Sequence, residues 1–263
     1  MHVYVWSRPD VGYSTTRLSR YIHAPSSPSF MGLKRILRYL ATHTHRPIMY
    51  PRASIDGVHT IRVDFDTPKF EEIELPNSLI ALVDSDHARD NNTRRSCHCV
   101  LVLLAGVVVD WKMQQQRVVA LHSTDSEIRG ALQATKQGLT LQHICKHIGM
   151  KPTHYIPLQI GEDSQPCIDT LKANTVTSRV KHIAVPIHFM HQQILHGKVD
   201  FFKIGTNLNL ADSGTKPNPS PTHFRHFDQA IGVRFYPPPE SEHYIKLQLE
   251  KFMHSPYTTK KQE

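Results

Sequence analysis

The sequence predicts an α/β fold: a mixed sheet of five strands flanked by helices, preceded by a helical N-terminal segment. Three observations predict it. After Pro76, three apolar runs of strand length follow one another with only short breaks. A long stretch of helical periodicity then separates them from a fourth run, and a second helical region separates the fourth from a fifth. The resulting order is β-β-β-α-β-α-α-β-α.

In the N-terminal segment, Ser27-Pro28-Ser29 supplies a helix cap and a first-turn proline. Phe30, Leu33, Leu37 and Leu40 follow at helical spacing, with Ile36 widening the stripe. Lys34, Arg35 and Arg38 fall off that stripe and form a basic face. Residues 51–77 read as a connector with one strand-like run, HTIRVDF. The first clear strand spans 78–83. Residues 97–104 and 107–111, joined at Ala105-Gly106, read as a hairpin. A helix over 124–148 buries Ile128, Ala131, Leu132, Thr135, Leu139 and Ile144, and Gly149 stops it. A strand at 157–162 and a short helix around 168–173 follow. Residues 179–196 are helical in pattern, with Pro186 requiring a first turn or a kink. A fifth strand spans 199–204, and a last helix starts near Leu210. The organisation is therefore residues 1–50 helical, 51–77 connector, 78–233 one α/β domain, and 234–263 a polar, proline-bearing tail expected to be disordered.

The chain has 263 residues, 39% of them hydrophobic, enough for one large core. Its net charge is +8, with 19 histidines in reserve, which favours a polyanionic partner, nucleic acid before an anionic membrane surface. No long apolar span is visible, and no signal peptide, so the four cysteines are expected to be reduced in an intracellular protein. Cys97-His98-Cys99 is too tightly spaced for a zinc knuckle. In a strand it places the two thiols on one side and the imidazole on the other.

Four acids stand where buried elements meet loops or helix starts: Asp84, Glu127, Asp163 and Asp212. Taken singly, Asp84, Asp163 and Asp212 fit capping or surface carboxylates, and Glu127 fits a capping box three residues after Thr124. Asp86 reads as a loop acid and Asp125 as a first-turn acid favoured by the helix dipole. If the first and fourth strands are parallel neighbours, Asp84 and Asp163 sit side by side. Four clustered carboxylates then need cations, and paired divalent ions are a recurrent solution for phosphodiester hydrolysis.

The stretches LVDSDHARD, TRRSCHC, VDWKMQQQ, ALHSTDSEIRGAL, PLQIGEDSQPCI, SRVKHIAVPIHF and NLADSGTKP together resemble, in order and spacing, the ribonuclease H domain of copia-type LTR retrotransposon polyproteins. The resemblance covers about residues 82–233. Upstream, PDVGYSTTRLSRYIHAPSSPSFMGLKRILRYLATH resembles the thumb or connection segment after the reverse-transcriptase palm, although the polymerase signature Tyr-x-Asp-Asp is absent from the sequence. The resemblance implies a ribonuclease H-like fold that cuts the RNA strand of RNA–DNA hybrids. It implies two Mg²⁺ (or Mn²⁺) ions held by Asp84, Glu127, Asp163 and Asp212, and the reverse-transcriptase palm as a partner. Arg179, Lys181, His182 and Lys112 are the candidate nucleic-acid contacts. The implied setting is cytoplasmic, in a virus-like particle, or nuclear. The rival reading is a catalytically silent, nucleic-acid-binding remnant of such a polyprotein.

Two departures matter. The loop 205–209 lacks the histidine that many ribonucleases H carry before the last acid. Where the family usually has Tyr-Cys-Asp-Asn, this chain has Gly161-Glu162-Asp163-Ser164. Strand alternation is expected to turn Glu162 away from the site.

Overall fold

The structure is a computed structural model; it describes residues 4–5, 7–43, 58–60, 74–76, 79–104, 107–148, 157–173, 176 and 178–216. The expected turn at Ala105-Gly106, the stop at Gly149 and the tail after residue 216 lie outside those residues.

The N-terminal segment holds α1 (Gly12–Ser19) and α2 (Ser27–Thr42). A short antiparallel ribbon, β1 (Val58–Thr60) with β2 (Glu74–Pro76), lies within the stretch read as a connector. The main sheet comprises β3 (Leu79–Ser85), β4 (Cys97–Leu104), β5 (Val107–Gln115), β6 (Leu158–Glu162) and β7 (Val199–Lys203), in the order β5-β4-β3-β6-β7. β3, β4 and β5 pair antiparallel, and β3–β6 and β6–β7 pair parallel. The parallel pairs follow helical crossovers: α3 (Ser123–His147) leads to β6, and α4 (Gln165–Lys172) with α5 (Ala184–Leu195) leads to β7. The expected five-stranded mixed sheet is the one observed.

Each face of the sheet has its own core. Under α3, α4 and α5 lie Ala81, Val83, Val100, Val102, Ile128, Ala131, Leu158, Ile160, Ile187 and Phe201. On the other face Ile80, Leu82, Leu101, Leu103 and Met113 meet Tyr4 and Val11 from the N-terminal segment. Along β3 and β4 the two cores take alternate residues as the pleat requires, and on β5 a bulge opposite Val102/Leu103 brings Val108 to the same face as Met113.

Several expectations are corrected. The cap of α2 is Ser26, whose side chain accepts from the Ser29 amide. Its packed residues are Ile36, Tyr39 and Leu40, while Phe30, Leu33 and Leu37 are exposed. The C-terminal half of α2 docks on the core through Ile36, Tyr39 and Leu40, held by the Tyr39 hydroxyl donating to Asp10 at 2.8 Å and Arg8 donating to the His43 carbonyl at 3.1 Å. Pro186 sits in the first turn of α5, after a 3-10 stretch over Ser178–Ile183. The helix expected near Leu210 is, among the described residues, a 3-10 turn over Leu210–Gly214. No helix among the described residues is long and apolar enough to cross a membrane.

Candidate metal centre

Sheet register places the first two acids. β3 and β6 pair from Ile80 with Gln159 to Val83 with Glu162. One step further along both chains sets Asp84 level with Asp163. Asp84 is 7% exposed and faces the side of Leu82 and Ile80, opposite Cys99 of β4. The Thr215 hydroxyl donates to its Oδ2. Burial pushes the Asp84 carboxyl up to about 7; the Thr215 hydrogen bond opposes this, and the charges of Asp163 and Asp212 add to it.

Asp212 arrives through a side-chain clamp. Asn209, fully buried, donates its amide to the Val83 carbonyl at 2.8 Å and accepts the Ala211 amide with its oxygen at 3.2 Å. The turn carrying Asp212 is thereby pinned to the residue preceding Asp84. Asp212 is 1% exposed and ion-paired with Lys216.

Glu127 comes from α3. The helix approaches the sheet closely because Gly130 has no side chain: a Cβ there would lie 2.4 Å from Ser85 Oγ and 3.0 Å from Val83 Cγ2. Glu127 falls in the second helical turn, not the first. The helix is capped at His122 without a side-chain bond, so the expected capping box with Thr124 does not form. Asp125 takes over at this end. Its carboxylate accepts from the Leu121 amide at 3.0 Å, Arg129 Nε at 2.6 Å and His182 Nε2 at 2.9 Å. Burial alone would raise its pKa, but these bonds hold it below the ordinary carboxylate value.

The expectation for Glu162 is overturned. Leu158 and Ile160 point into the core under α3, and Glu162, two residues on, follows them to the same face. There it is 0% exposed. Asp163 lies past the end of the strand, where alternation no longer governs direction. Glu127, Glu162 and Asp163 each present a carboxylate oxygen within 4.8 Å of the others. At an effective dielectric of about 20, each fully charged pair at that separation repels by roughly 3–4 kcal/mol. Burial first, then mutual charge, pushes Glu127 and Glu162 well above the ordinary range. Glu162 Oε1 accepts the Ser164 amide at 3.0 Å. Its Oε2 and Glu127 Oε2 are buried with no hydrogen-bond partner among the described residues.

The four acids singled out in the sequence thus share one neighbourhood at the ends of β3 and β6. The tightest cluster, however, is Glu127, Glu162 and Asp163, with Asp84 and Asp212 adjoining it through Asp163 and Thr215. The donors are all hard oxygens, the kind that hold Mg²⁺, Mn²⁺ or Ca²⁺, and two of them are buried without partners. The set therefore fits a divalent cation. Sequence reasoning missed Glu162, Thr215 and Lys216. The signal for Glu162 was present in the period-two run Leu158, Ile160, Glu162.

Of the candidate nucleic-acid contacts, Lys181 is exposed on the 3-10 turn that also carries Arg179. His182 is bound to Asp125, so this turn sits beside the start of α3. Lys112 is opposite Val100 on β5, on the α3 side of the sheet, and half-buried. Cys97 and Cys99 are buried free thiols and Trp111 packs against the core, its indole donating to the Tyr4 carbonyl at 2.9 Å.

No family model matches the chain. It is 28% identical over 233 residues to the retrovirus-related Pol polyprotein from transposon RE1 of Arabidopsis thaliana, covering 89% of this chain and 14% of that one. To the corresponding polyprotein from transposon RE2 of the same plant it is 29% identical over 236 residues, with the same coverage. The chain is a homologue of the Pol polyproteins of copia-type retrotransposons. The chain spans 14% of the length of those relatives. It is also 30% identical over 141 residues to secreted RxLR effector protein 161 of Plasmopara viticola, covering 54% of this chain and 84% of that protein. Among solved structures it is similar to LC11-RNase H1, with a TM-score of 0.41 and 14% identity over 59% of this chain and 96% of that one. The main sheet of the chain has three antiparallel strands, a helical crossover and two parallel strands, with helices flanking it.

Proposed function

We propose that this chain is the ribonuclease H portion of a retrotransposon Pol polyprotein, an endonuclease that hydrolyses the RNA strand of RNA–DNA hybrids during reverse transcription. The observation that carries the reading is the convergence of buried carboxylates at the ends of β3 and β6, with two of their oxygens unpartnered. Asp84, Glu127, Asp163 and Asp212 are the residues that would hold two Mg²⁺ or Mn²⁺ ions. Such ions, when bound, acidify an attacking water and stabilise the leaving oxygen of a phosphodiester.

The chain's own groups prepare that site. Thr215 fixes the Asp84 carboxylate by hydrogen bond, and Asn209 fixes the turn of Asp212 against β3. Lys216 offsets part of the acidic charge by pairing with Asp212. The net charge of +8 draws a polyanion to a site that is itself acidic. Arg179, Lys181, His182 and Lys112 are proposed to follow phosphates and 2′-hydroxyls, so that a hybrid is recognised by shape and not by base sequence. The proposed partner is the reverse-transcriptase palm of the same polyprotein. The proposed setting is intracellular, in a cytoplasmic virus-like particle or the nucleus.

A second reading, a silent nucleic-acid-binding remnant, is favoured by one observation: Lys216 places an ammonium against Asp212, where a cation would otherwise go. One experiment separates the two. The full chain is incubated with a labelled RNA–DNA hybrid and Mg²⁺ or Mn²⁺, beside an Asp163→Asn control. Cleavage of the RNA strand that is lost in the control is the expected result. Hybrid binding with steep salt dependence but no cleavage above the control selects the silent remnant.

A further inference from the structure

Glu162 stands where the resemblance leads one to expect an uncharged residue, and it is the most deeply buried acid of the cluster. Its side chain is 0% exposed. One oxygen accepts the Ser164 amide, and the other faces no donor among the described residues. Glu127 brings a second unpartnered buried oxygen from the opposing helix, and Asp163 a third carboxylate, all within 4.8 Å. The nearby basic side chains are engaged elsewhere: Lys203 donates to the Asp163 backbone carbonyl and Lys216 pairs with Asp212. A fully buried acid of this kind is unfavourable unless a counter-charge or a shared proton accompanies it.

We infer that Glu162 is a fifth carboxylate of the metal centre, binding a divalent cation together with Glu127 and Asp163 on the α3 side of the sheet. Asp84 and Asp212 form the other half of the centre, tied to it through Asp163. The cation is held by three protein carboxylates where it is deepest, and Ser164 orients Glu162 by occupying its second oxygen. The main-chain bond from Ser164 also links the ligand to the start of α4, whose first turn Ser164 caps.

This inference rests on the metal-site reading above, and its test separates the two. Mn²⁺ is titrated into the full chain and followed by electron paramagnetic resonance, with thermal melts at each concentration. Glu162→Gln keeps the shape and removes the charge. The expected result is Mn²⁺ binding at least about tenfold weaker, the scale on which losing even a supporting group weakens metal sites, with a metal-free melting temperature equal to or above the wild type's. If Glu162→Gln does not fold, Glu162→Asp carries the test: it keeps the charge, withdraws the carboxylate by one methylene and is expected to weaken Mn²⁺ binding too. Wild-type affinity in either folded variant overturns the inference, as does a wild-type chain that binds no Mn²⁺. Hybrid cleavage by a wild type whose Mn²⁺ affinity ignores Glu162 leaves the nuclease reading standing alone. Glu162-dependent Mn²⁺ binding without cleavage leaves this inference standing alone.

Discussion

The carboxylates differ in what holds them, and the difference is measurable through pH. Asp84 is pushed up to about 7 in the folded chain, first by burial, against an ordinary value near 4. A carboxyl whose folded pKa is raised stabilises the fold fully below its unfolded pKa, and that contribution is lost as pH rises through about 7. His98 runs the other way. Burial and the charge of Lys112 hold it down near 4, so its contribution is lost as pH falls below about 6.5. The Asp84 effect is therefore read as a difference. In metal-free protein, Asp84→Asn is expected to gain stability relative to wild type as pH rises from about 4 to 8, and thermal melts in chelator at several pH values check it. An equal gap between the two proteins at all pH values contradicts the burial of Asp84. These roles were only partly legible beforehand. Asp84 and Asp163 announce themselves because each follows an apolar run. Glu162 was misjudged because it was considered relative to Asp163, its neighbour, and not relative to Leu158 and Ile160, whose face it shares.

Helix α3 shows how backbone approach builds the centre. Its apolar spacing is plain in the sequence, and Ile128 and Ala131 are buried as that spacing predicts. The intimacy of its packing is not, because a glycine within a helix reads only as a weak point. At Gly130 an added methyl would meet Ser85 Oγ at 2.4 Å and the stiff, β-branched Val83 at 3.0 Å. In an open helix Gly→Ala stabilises by up to about 1 kcal/mol. Here Gly130→Ala is expected to reverse the sign and cost about 1–3 kcal/mol through overpacking, measured by urea unfolding. It also lifts Glu127, one turn earlier, from its partners, so Mn²⁺ binding weakens in the same variant. The last described element illustrates the opposite failure. Residues 210–214 carry Leu210, Ala211 and Asp212 as a helix start would, yet the turn is 3-10. Its position comes from the Asn209 amide reaching Val83, a contact between residues 126 apart that no local pattern encodes.

The N-terminal segment changes the account of the architecture most, because it covers the second face of the sheet and an edge. β5 pairs only with β4 in the main sheet, so its outer side is an open row of backbone groups. At Met113 that row is closed by side chains. The Met113 amide donates to the Tyr4 hydroxyl at 2.6 Å, and the Thr16 hydroxyl donates to the Met113 carbonyl at 3.0 Å. Arg20 adds an ion pair to Asp90 at 2.6 Å, an acid that also accepts the Asn92 and Thr93 amides in the β3–β4 loop. The sequence divided residues 1–50 from the sheet because the stretch 51–77, read as a connector, separates them. Long-range polar contacts of this kind leave no periodic trace, so the division could not reveal them. Tyr4 is 5% exposed and its hydroxyl is pushed up to about 12 by burial, so it stays protonated and remains available to accept from Met113. Tyr4→Phe removes that acceptor and strands a buried amide, at an expected cost of about 1–3 kcal/mol. Because Tyr4 packs in one core with Leu101, Leu103 and Ile204, the loss is expected in the main unfolding transition of the sheet. Faster hydrogen exchange at the Met113 amide should accompany it. A main transition unchanged by Tyr4→Phe would mean that the N-terminal segment folds apart from the sheet and contributes nothing to its stability.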